Sequence, residues 1–181
     1  MLFSLIIPVY NRPDEVDELL ESLSQQDYTD NFEVVIVEDG SELRCDDVVR
    51  KYAGKLHLSY SFKGNSGPGD SRNYGMKKAN GDYFIIFDSD CIIPKSYLTE
   101  VAKALKENYV DCFGGPDAAL DSFSDIQKAI NFAMTSFLTT GGIRGGSEKI
   151  DKFQPRSFNM GLSRKAFEAS NGYGNIHPGE D

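Results

Sequence analysis

The sequence predicts an α/β domain, a Rossmann-like open and mostly parallel sheet with helices on both faces. Three observations carry that prediction. Short apolar runs alternate with segments of helical periodicity through the first hundred or so residues. The runs LIIPV, VVIV and FIIF are continuous in apolar character, as strands covered on both faces are. Each run then stops in polar residues: Pro8-Val9-Tyr10-Asn11, Glu38-Asp39-Gly40-Ser41 and Asp88-Ser89-Asp90. In a parallel sheet those ends collect on one rim, where ligands bind.

Taken in order, residues 2–8 (LFSLIIP) form the first strand. Residues 14–25 form a helix, with Val16, Leu19, Leu20 and Leu23 on one face and Pro13 near its start. FEVVIVE (32–38) is the second strand, residues 44–52 a short helix, and LHLSYSF (56–62) the third strand. A helix over 69–79 leads into a fourth strand over 82–88. Residues 95–108 are helical, with Leu98, Val101, Ala102 and Leu105 at helical spacing. YVDCFGG (109–115) reads as a strand and 126–138 as an apolar helix whose Phe132/Phe137 face is expected in the core, a membrane-facing edge being the alternative. TTGGIRGG (139–146) is glycine-rich and expected to be loose. QPRSFNMGLS (154–163) is a returning strand.

The chain has 181 residues, 40% hydrophobic and 26% charged, which suits one domain with a sizeable core. A net charge of −9 argues against nucleic-acid binding, whose affinity comes largely from phosphate neutralisation. The charge is uneven: residues 144–165 hold six Lys/Arg against two acids. That segment is either a solvated loop or a surface that meets something anionic. Three scattered cysteines (Cys45, Cys91, Cys112), without CxxC spacing, favour reduced thiols and a cytoplasmic setting. No apolar run approaches the ~20 residues that span a bilayer, and the first strand lacks the features of a signal peptide.

The sharpest chemical question sits at the end of the fourth strand. Asp88 and Asp90 are two residues apart, and in extended geometry both would point the same way with Ser89 turned aside. Two hard oxygen ligands so close repel unless a cation lies between them, and Mg²⁺ or Mn²⁺ fits that donor set. A pair of solvated turn aspartates is the plainer alternative. Asp39 could accept from an imide N–H, or merely open an Asp-Gly turn. Arg72, in the first turns of a helix, could reach an anion there or cover the sheet edge beside Asp70 or Asp82. Gly67 and Gly69 would let backbone pass close to a ligand, but Arg72 stands where a dinucleotide fingerprint needs its third glycine.

Around this acid pair the sequence resembles the family 2 inverting glycosyltransferases of the GT-A fold. Asn65, Gly67, Ser71, Arg72, Asn73, Gly75, Ala79, Gly81, Tyr83, Asp88 and Asp90 fall in the register N-x-G-x-x-x-[AS]-R-N-x-G, A-x-G-x-[YF], strand, DxD. SLIIPVYN at the start, EDGS after the second strand (the family more often has DDGS) and the final GED complete the likeness. The resemblance implies a single GT-A domain with a nucleotide-sugar-binding half over 1–93 and an acceptor-side half over 94–181, continuing past residue 181 in a longer protein. It implies transfer of a sugar, with inversion and a divalent cation, from a nucleotide-diphosphate sugar (UDP first among them) to an acceptor hydroxyl. The setting would be cell-surface polysaccharide or glycolipid synthesis in the cytoplasm, at the inner face of the membrane. By the same resemblance Pro8, Val9, Tyr10 and Asn11 line the base and ribose, Asp39 bonds the base, and Arg72 meets base or diphosphate. Asp88 then contacts ribose and metal, Asp90 binds metal, and Asp181, with Glu180 beside it, is the catalytic base. The acceptor is a glycan or lipid-linked sugar, with a peripheral membrane contact through the basic segment.

Two other classes share fragments of the pattern. A phospho-receiver module would use the acid pair after the second strand and Asp88 as phospho-acceptor, but a strand and helix precede that unit and the Thr and Lys strand ends it needs are not evident. A haloacid dehalogenase-like phosphotransferase also ends an apolar strand in DxD, but normally on its first strand, not its fourth.

Overall fold

The structure is a computed structural model that describes residues 1–115, 126, 129, 132 and 159–174. Its elements are β1 (Phe3–Val9), α1 (Pro13–Ser24), β2 (Phe32–Asp39), α2 (Asp46–Tyr52), β3 (Leu58–Lys63), α3 (Pro68–Lys78), β4 (Tyr83–Phe87), α4 (Tyr97–Glu107), β5 (Cys112–Gly114), β6 (Asn159–Ser163) and α5 (Arg164–Ser170). They form one six-stranded sheet in the order β3-β2-β1-β4-β6-β5. The first four strands run parallel, and β6 lies antiparallel to both β4 and β5. The expected open, mostly parallel sheet is therefore present, with an antiparallel pair closing one side.

Strand alternation sorts the core into two layers. Phe3, Leu5, Ile7 and Val9 of β1 face the side covered by α1, α2 and α4, where Leu19, Leu20, Leu23, Tyr52 and Leu98 are buried. Ile6 of β1 faces the other side, with Val35, Val37, Phe84 and Ile86 under Met76 of α3 and Phe167 of α5. Helix α3 lies close on this second face because of Gly75: a Cβ there would stand 2.7 Å from Ile6 Cγ2 and 3.2 Å from Val37 Cγ2. That close seating fixes where the first turn of α3, and with it Arg72, meets the rim of the sheet.

Two expectations need correction, and one element was missed. The fourth strand stops at Phe87, so Asp88 is not part of it. Phe132, expected in the core, is 71% exposed, and Ile126 six residues before it is 73% exposed. Helix α5 had not been foreseen, since seven residues offer too little periodicity. Its signals are local: Ser163 Oγ accepts from the Ala166 N–H at 3.0 Å as N-cap, and Asn171 ends the helix at φ 66°. The glycine-rich 139–146 and most of the basic segment lie outside the described residues. Among the described residues no helix is long and apolar enough to cross a membrane.

Candidate active site

The carboxyl ends of β1, β2 and β4 open into a cleft of about 480 Å³, lined by Pro8, Val9, Tyr10, Arg12, Glu15, Asp39, Asn65, Gly67, Pro68, Ser71, Arg72, Asp88, Ser89 and Asp90. Seven of the eight cleft-side residues expected from the sequence are thus brought together. The eighth, Asn11, turns its side chain away from the cleft. It takes a left-handed φ of 55°, and its Oδ1 accepts from the Glu42 and Leu43 amides at 2.8 and 3.0 Å. Its own N–H donates to Ser41 Oγ at 2.9 Å. Asn11 thereby ties the β1–α1 loop to the loop after β2. Glu180 and Asp181 lie outside the described residues.

The two acids that end β2 have different surroundings. Glu38 points into the α2 side, where its carboxylate accepts from the Cys45 amide (3.2 and 3.1 Å), the Cys45 thiol and the Tyr60 hydroxyl. It is fully buried and anchors the start of α2 to β3. Burial and then the Glu38 charge push the Cys45 thiol up to about 12, so this cysteine is unreactive at neutral pH. Burial and then the hydrogen bond to Glu38 push the Tyr60 hydroxyl up to about 12.

Asp39 faces the cleft. Its Oδ1 accepts from the Ser66 amide at 2.9 Å and from Lys63 Nζ at 2.5 Å, and its Oδ2 from the Gly67 amide at 2.9 Å. Asn65 Nδ2 adds a bond to the Asp39 carbonyl at 3.0 Å. The carboxylate therefore organises the chain entering α3. Three of its roughly four lone-pair sites are used by protein groups, which leaves capacity for one further donor. Lys63 was not foreseen: as the last residue of β3 it offers no motif, and only the register Asp39↔Lys63 brings it there.

Arg72 is buried, and its guanidinium donates to Asp88 Oδ1 at 3.0 Å, so its partner is neither Asp70 nor Asp82. Asp70 takes the Ser66 hydroxyl at 2.6 Å, and Asp82 takes the Leu2 amide at 3.0 Å. The Asp88 side chain remains 38% exposed to the cleft. Residues 88–91 form a turn in which the Cys91 N–H meets the Asp88 carbonyl at 3.3 Å. The strand-alternation argument for Asp88 and Asp90 fails on this turn: all three of Asp88, Ser89 and Asp90 reach the cleft because the chain bends around it. Among the described residues no three His, Cys, Asp or Glu side chains converge on one point. Two carboxylates at an open turn fit Mg²⁺ or Mn²⁺, which takes its remaining ligands from water and phosphate oxygens.

The basic segment contributes differently from expectation where it is described. Arg164 donates to the Gly81 carbonyl at 2.9 Å and the Ala79 carbonyl at 2.8 Å, and lies 4.9 Å over the Phe84 ring. It closes the end of α3 at the opposite rim from the cleft, so it meets backbone carbonyls instead of a ligand's phosphates.

The model for "Glycosyl transferase family 2" matches residues 4–170. The poly(ribitol-phosphate) beta-N-acetylglucosaminyltransferase TarS of Staphylococcus aureus is 41% identical over 114 residues, covering 61% of this chain and 20% of TarS. An uncharacterized glycosyltransferase of Haemophilus influenzae is 38% identical over 115 residues, covering 59% of this chain and 35% of that protein. The crystal structure of S. aureus TarS 1-349 in complex with UDP-GlcNAc superposes with a TM-score of 0.76 at 28% identity, covering all of this chain and 51% of that one. The chain thus spans about half of that structure and a smaller share of the curated relatives. The Pyrobaculum calidifontis mannosyltransferase in complex with GDP-Man and Mn²⁺ shares the fold at a TM-score of 0.69, with 21% identity over 95% of this chain and 47% of that one. With the sheet order, the cleft at its carboxyl rim and the family match over most of its length, the chain belongs to glycosyl transferase family 2 and has the GT-A fold.

Proposed function

We propose that the chain transfers a sugar from a UDP-sugar to an acceptor hydroxyl, with inversion at the anomeric carbon and with a divalent cation, in the synthesis of a cell-surface glycan. The observation that carries the reading is the convergence of Asp39, Arg72, Asp88 and Asp90 on one cleft at the carboxyl rim. The likeness to TarS, crystallised with UDP and with UDP-GlcNAc, supports the choice of nucleotide.

Each residue has a place in this reading. Pro8 and Val9 give the base a wall and Tyr10, 53% exposed, an aromatic one. The remaining lone pair of Asp39 accepts the uracil imide N–H. Arg72 stands where a diphosphate would lie against the first turn of α3, and Asp88 meets the ribose. When bound, a cation held by Asp90 and Asp88 supplies Lewis acidity to the leaving diphosphate. The acceptor oxygen attacks the anomeric carbon as the bond from that carbon to the diphosphate breaks. Asp181, with Glu180 next to it, takes the acceptor proton. UDP and the elongated acceptor, a glycan or lipid-linked sugar, are the products.

The test is a thermal-shift panel of UDP-, GDP- and dTDP-sugars with and without Mn²⁺, run on wild type and Asp90→Ala. A ligand that binds only the folded state raises the melting temperature. UDP-sugars should give the largest Mn²⁺-dependent shift in wild type, and Asp90→Ala should lose the Mn²⁺-dependent part while melting normally without ligand. An unchanged Mn²⁺-dependent shift in the variant would falsify the metal assignment.

A further inference from the structure

One corner of the molecule has no part in the roles above. Helix α5 ends at Asn171 with φ 66°, and Gly172 follows at φ 75°, so two consecutive left-handed residues throw the chain back toward α3. A Cβ on Gly172 would stand 2.1 Å from Asn73 Oδ1, so only glycine lets the chain come this close. Asn73 then grips the backbone of the next residue at both ends. Its Oδ1 accepts from the Tyr173 N–H at 2.8 Å, and its Nδ2 donates to the Tyr173 carbonyl at 2.9 Å. Only a side-chain amide both accepts and donates in this way. The clamp joins residues 100 positions apart in sequence.

The ring that this clamp orients lies against the neighbour of Asn73 on α3. The Arg72 guanidinium carbon is 5.4 Å from the centroid of the Tyr173 ring. The same guanidinium donates from its edge to Asp88 at 3.0 Å. An aromatic ring meets a guanidinium at its face, so the ring steadies the plane without competing for in-plane donors. A long side chain loses rotamer entropy when a ligand fixes it, so a group that fixes its plane before a ligand arrives favours binding.

We propose that Tyr173, clamped by Asn73, is a positioning residue for Arg72: it holds the guanidinium plane aimed at the donor cleft, and so sets donor affinity without touching the donor. This rests on the reading that Arg72 contacts the donor nucleotide.

The experiment is calorimetric titration of the protein with UDP in the presence of Mn²⁺, with a thermal melt of each variant alongside. Tyr173→Phe keeps the ring and should bind UDP within about twofold of wild type. Tyr173→Leu keeps bulk but loses the aromatic face, and should bind about 3- to 30-fold more weakly, the range of a cation–π contact from surface to partly desolvated. Asn73→Leu, which frees the backbone of Tyr173, should weaken binding in the same direction. Equal UDP affinity in Tyr173→Leu and Tyr173→Phe, with both melting as cooperatively as wild type, overturns the proposal. Arg72→Ala separates the two layers. If it loses UDP binding while Tyr173→Leu does not, only the positioning role is wrong. If Arg72→Ala binds UDP as wild type does, the donor contact is wrong and the positioning role falls with it.

Discussion

Replacing Asp39 by Asn removes one charge and one acceptor while keeping the shape, and the structure sets what that should cost. Three protein donors converge on the carboxylate: the Ser66 and Gly67 amides and the Lys63 ammonium. An asparagine has one oxygen. If that oxygen stays with Ser66 and Lys63, the new NH₂ group faces the Gly67 N–H, donor against donor. If the amide flips, it faces two donors instead. The better arrangement still leaves one backbone N–H without an acceptor, about 1–3 kcal/mol, and weakens a charge-assisted bond to Lys63. A total of about 2–4 kcal/mol follows, or roughly 4–16 °C in melting temperature for a domain of this size. The base contact is a separate quantity. A uracil imide N–H that loses a charged acceptor and meets NH₂ should cost about 1.5–3 kcal/mol, which is about 10- to 150-fold in Kd. Thermal unfolding reads the first effect and calorimetric UDP titration reads the second. A variant that melts with wild type refutes the account of Asp39 as organiser of the 63–67 loop. A destabilised variant that binds UDP with undiminished affinity refutes the base contact alone.

Three further outcomes are expected. Glu33, buried at the far rim, accepts from Ser4 Oγ, the Asn80 amide and side chain, and the Gly81 amide; Glu33→Ala should lower stability by about 1–3 kcal/mol in urea unfolding, since the Asn80 N–H loses its acceptor while the Gly81 N–H keeps Ser4 Oγ. Burial raises the Glu33 carboxyl but those hydrogen bonds outweigh it and hold it below its ordinary value of 4.5, so its contribution is present above about pH 4.5 and is lost as pH falls through that value and below; an acid-unfolding curve of Glu33→Ala as steep as wild type would contradict this. Asp181→Asn should abolish sugar transfer while leaving UDP affinity unchanged, and an active variant would remove Asp181 from the role of base.

What the sequence disclosed and what it withheld divide along a physical line. The two-sided sheet was legible because LIIPV, VVIV and FIIF have no polar face to show to water, and the rim residues because parallel strands must end together. Asp39, Arg72 and Asp88 were legible as a set for the same reason. Their pairings were not: the candidate partners for Arg72 were Asp70 and Asp82, and the seating of α3 through Gly75 brings it to Asp88 instead. The acid pair was expected on a straight strand, with a turn as the alternative, and the Cys91 N–H bond to the Asp88 carbonyl shows that the turn is what forms. Lys63 and Arg164 were misjudged or missed because a cation's partner is set by register and by helix ends, which periodicity does not report. The departure from DDGS to EDGS has a physical use: the longer Glu38 side chain reaches both the Cys45 amide and the Tyr60 hydroxyl.

The place of β6 in the sheet has a consequence in time. Strand β4 sits between β1, which has already been made when it emerges from the ribosome, and β6, which has not. Its partner residues run from Asn159 opposite Phe87 to Ser163 opposite Tyr83, so the nearest partner comes 72 positions later. At a synthesis rate of about 5–20 residues per second, one edge of a strand reading YFIIF waits unpaired for roughly 4–14 s. Phe84 and Ile86 wait as long for Phe167, whose ring closes edge-on over Phe84 at 5.6 Å between centroids. An apolar edge open for seconds is a template for pairing with a neighbouring nascent chain or for capture by a chaperone. The late antiparallel strand therefore acts as the cover of that edge, and charged substitutions that slow its docking should show first as lost soluble yield and only later, if at all, as lost stability of the finished fold.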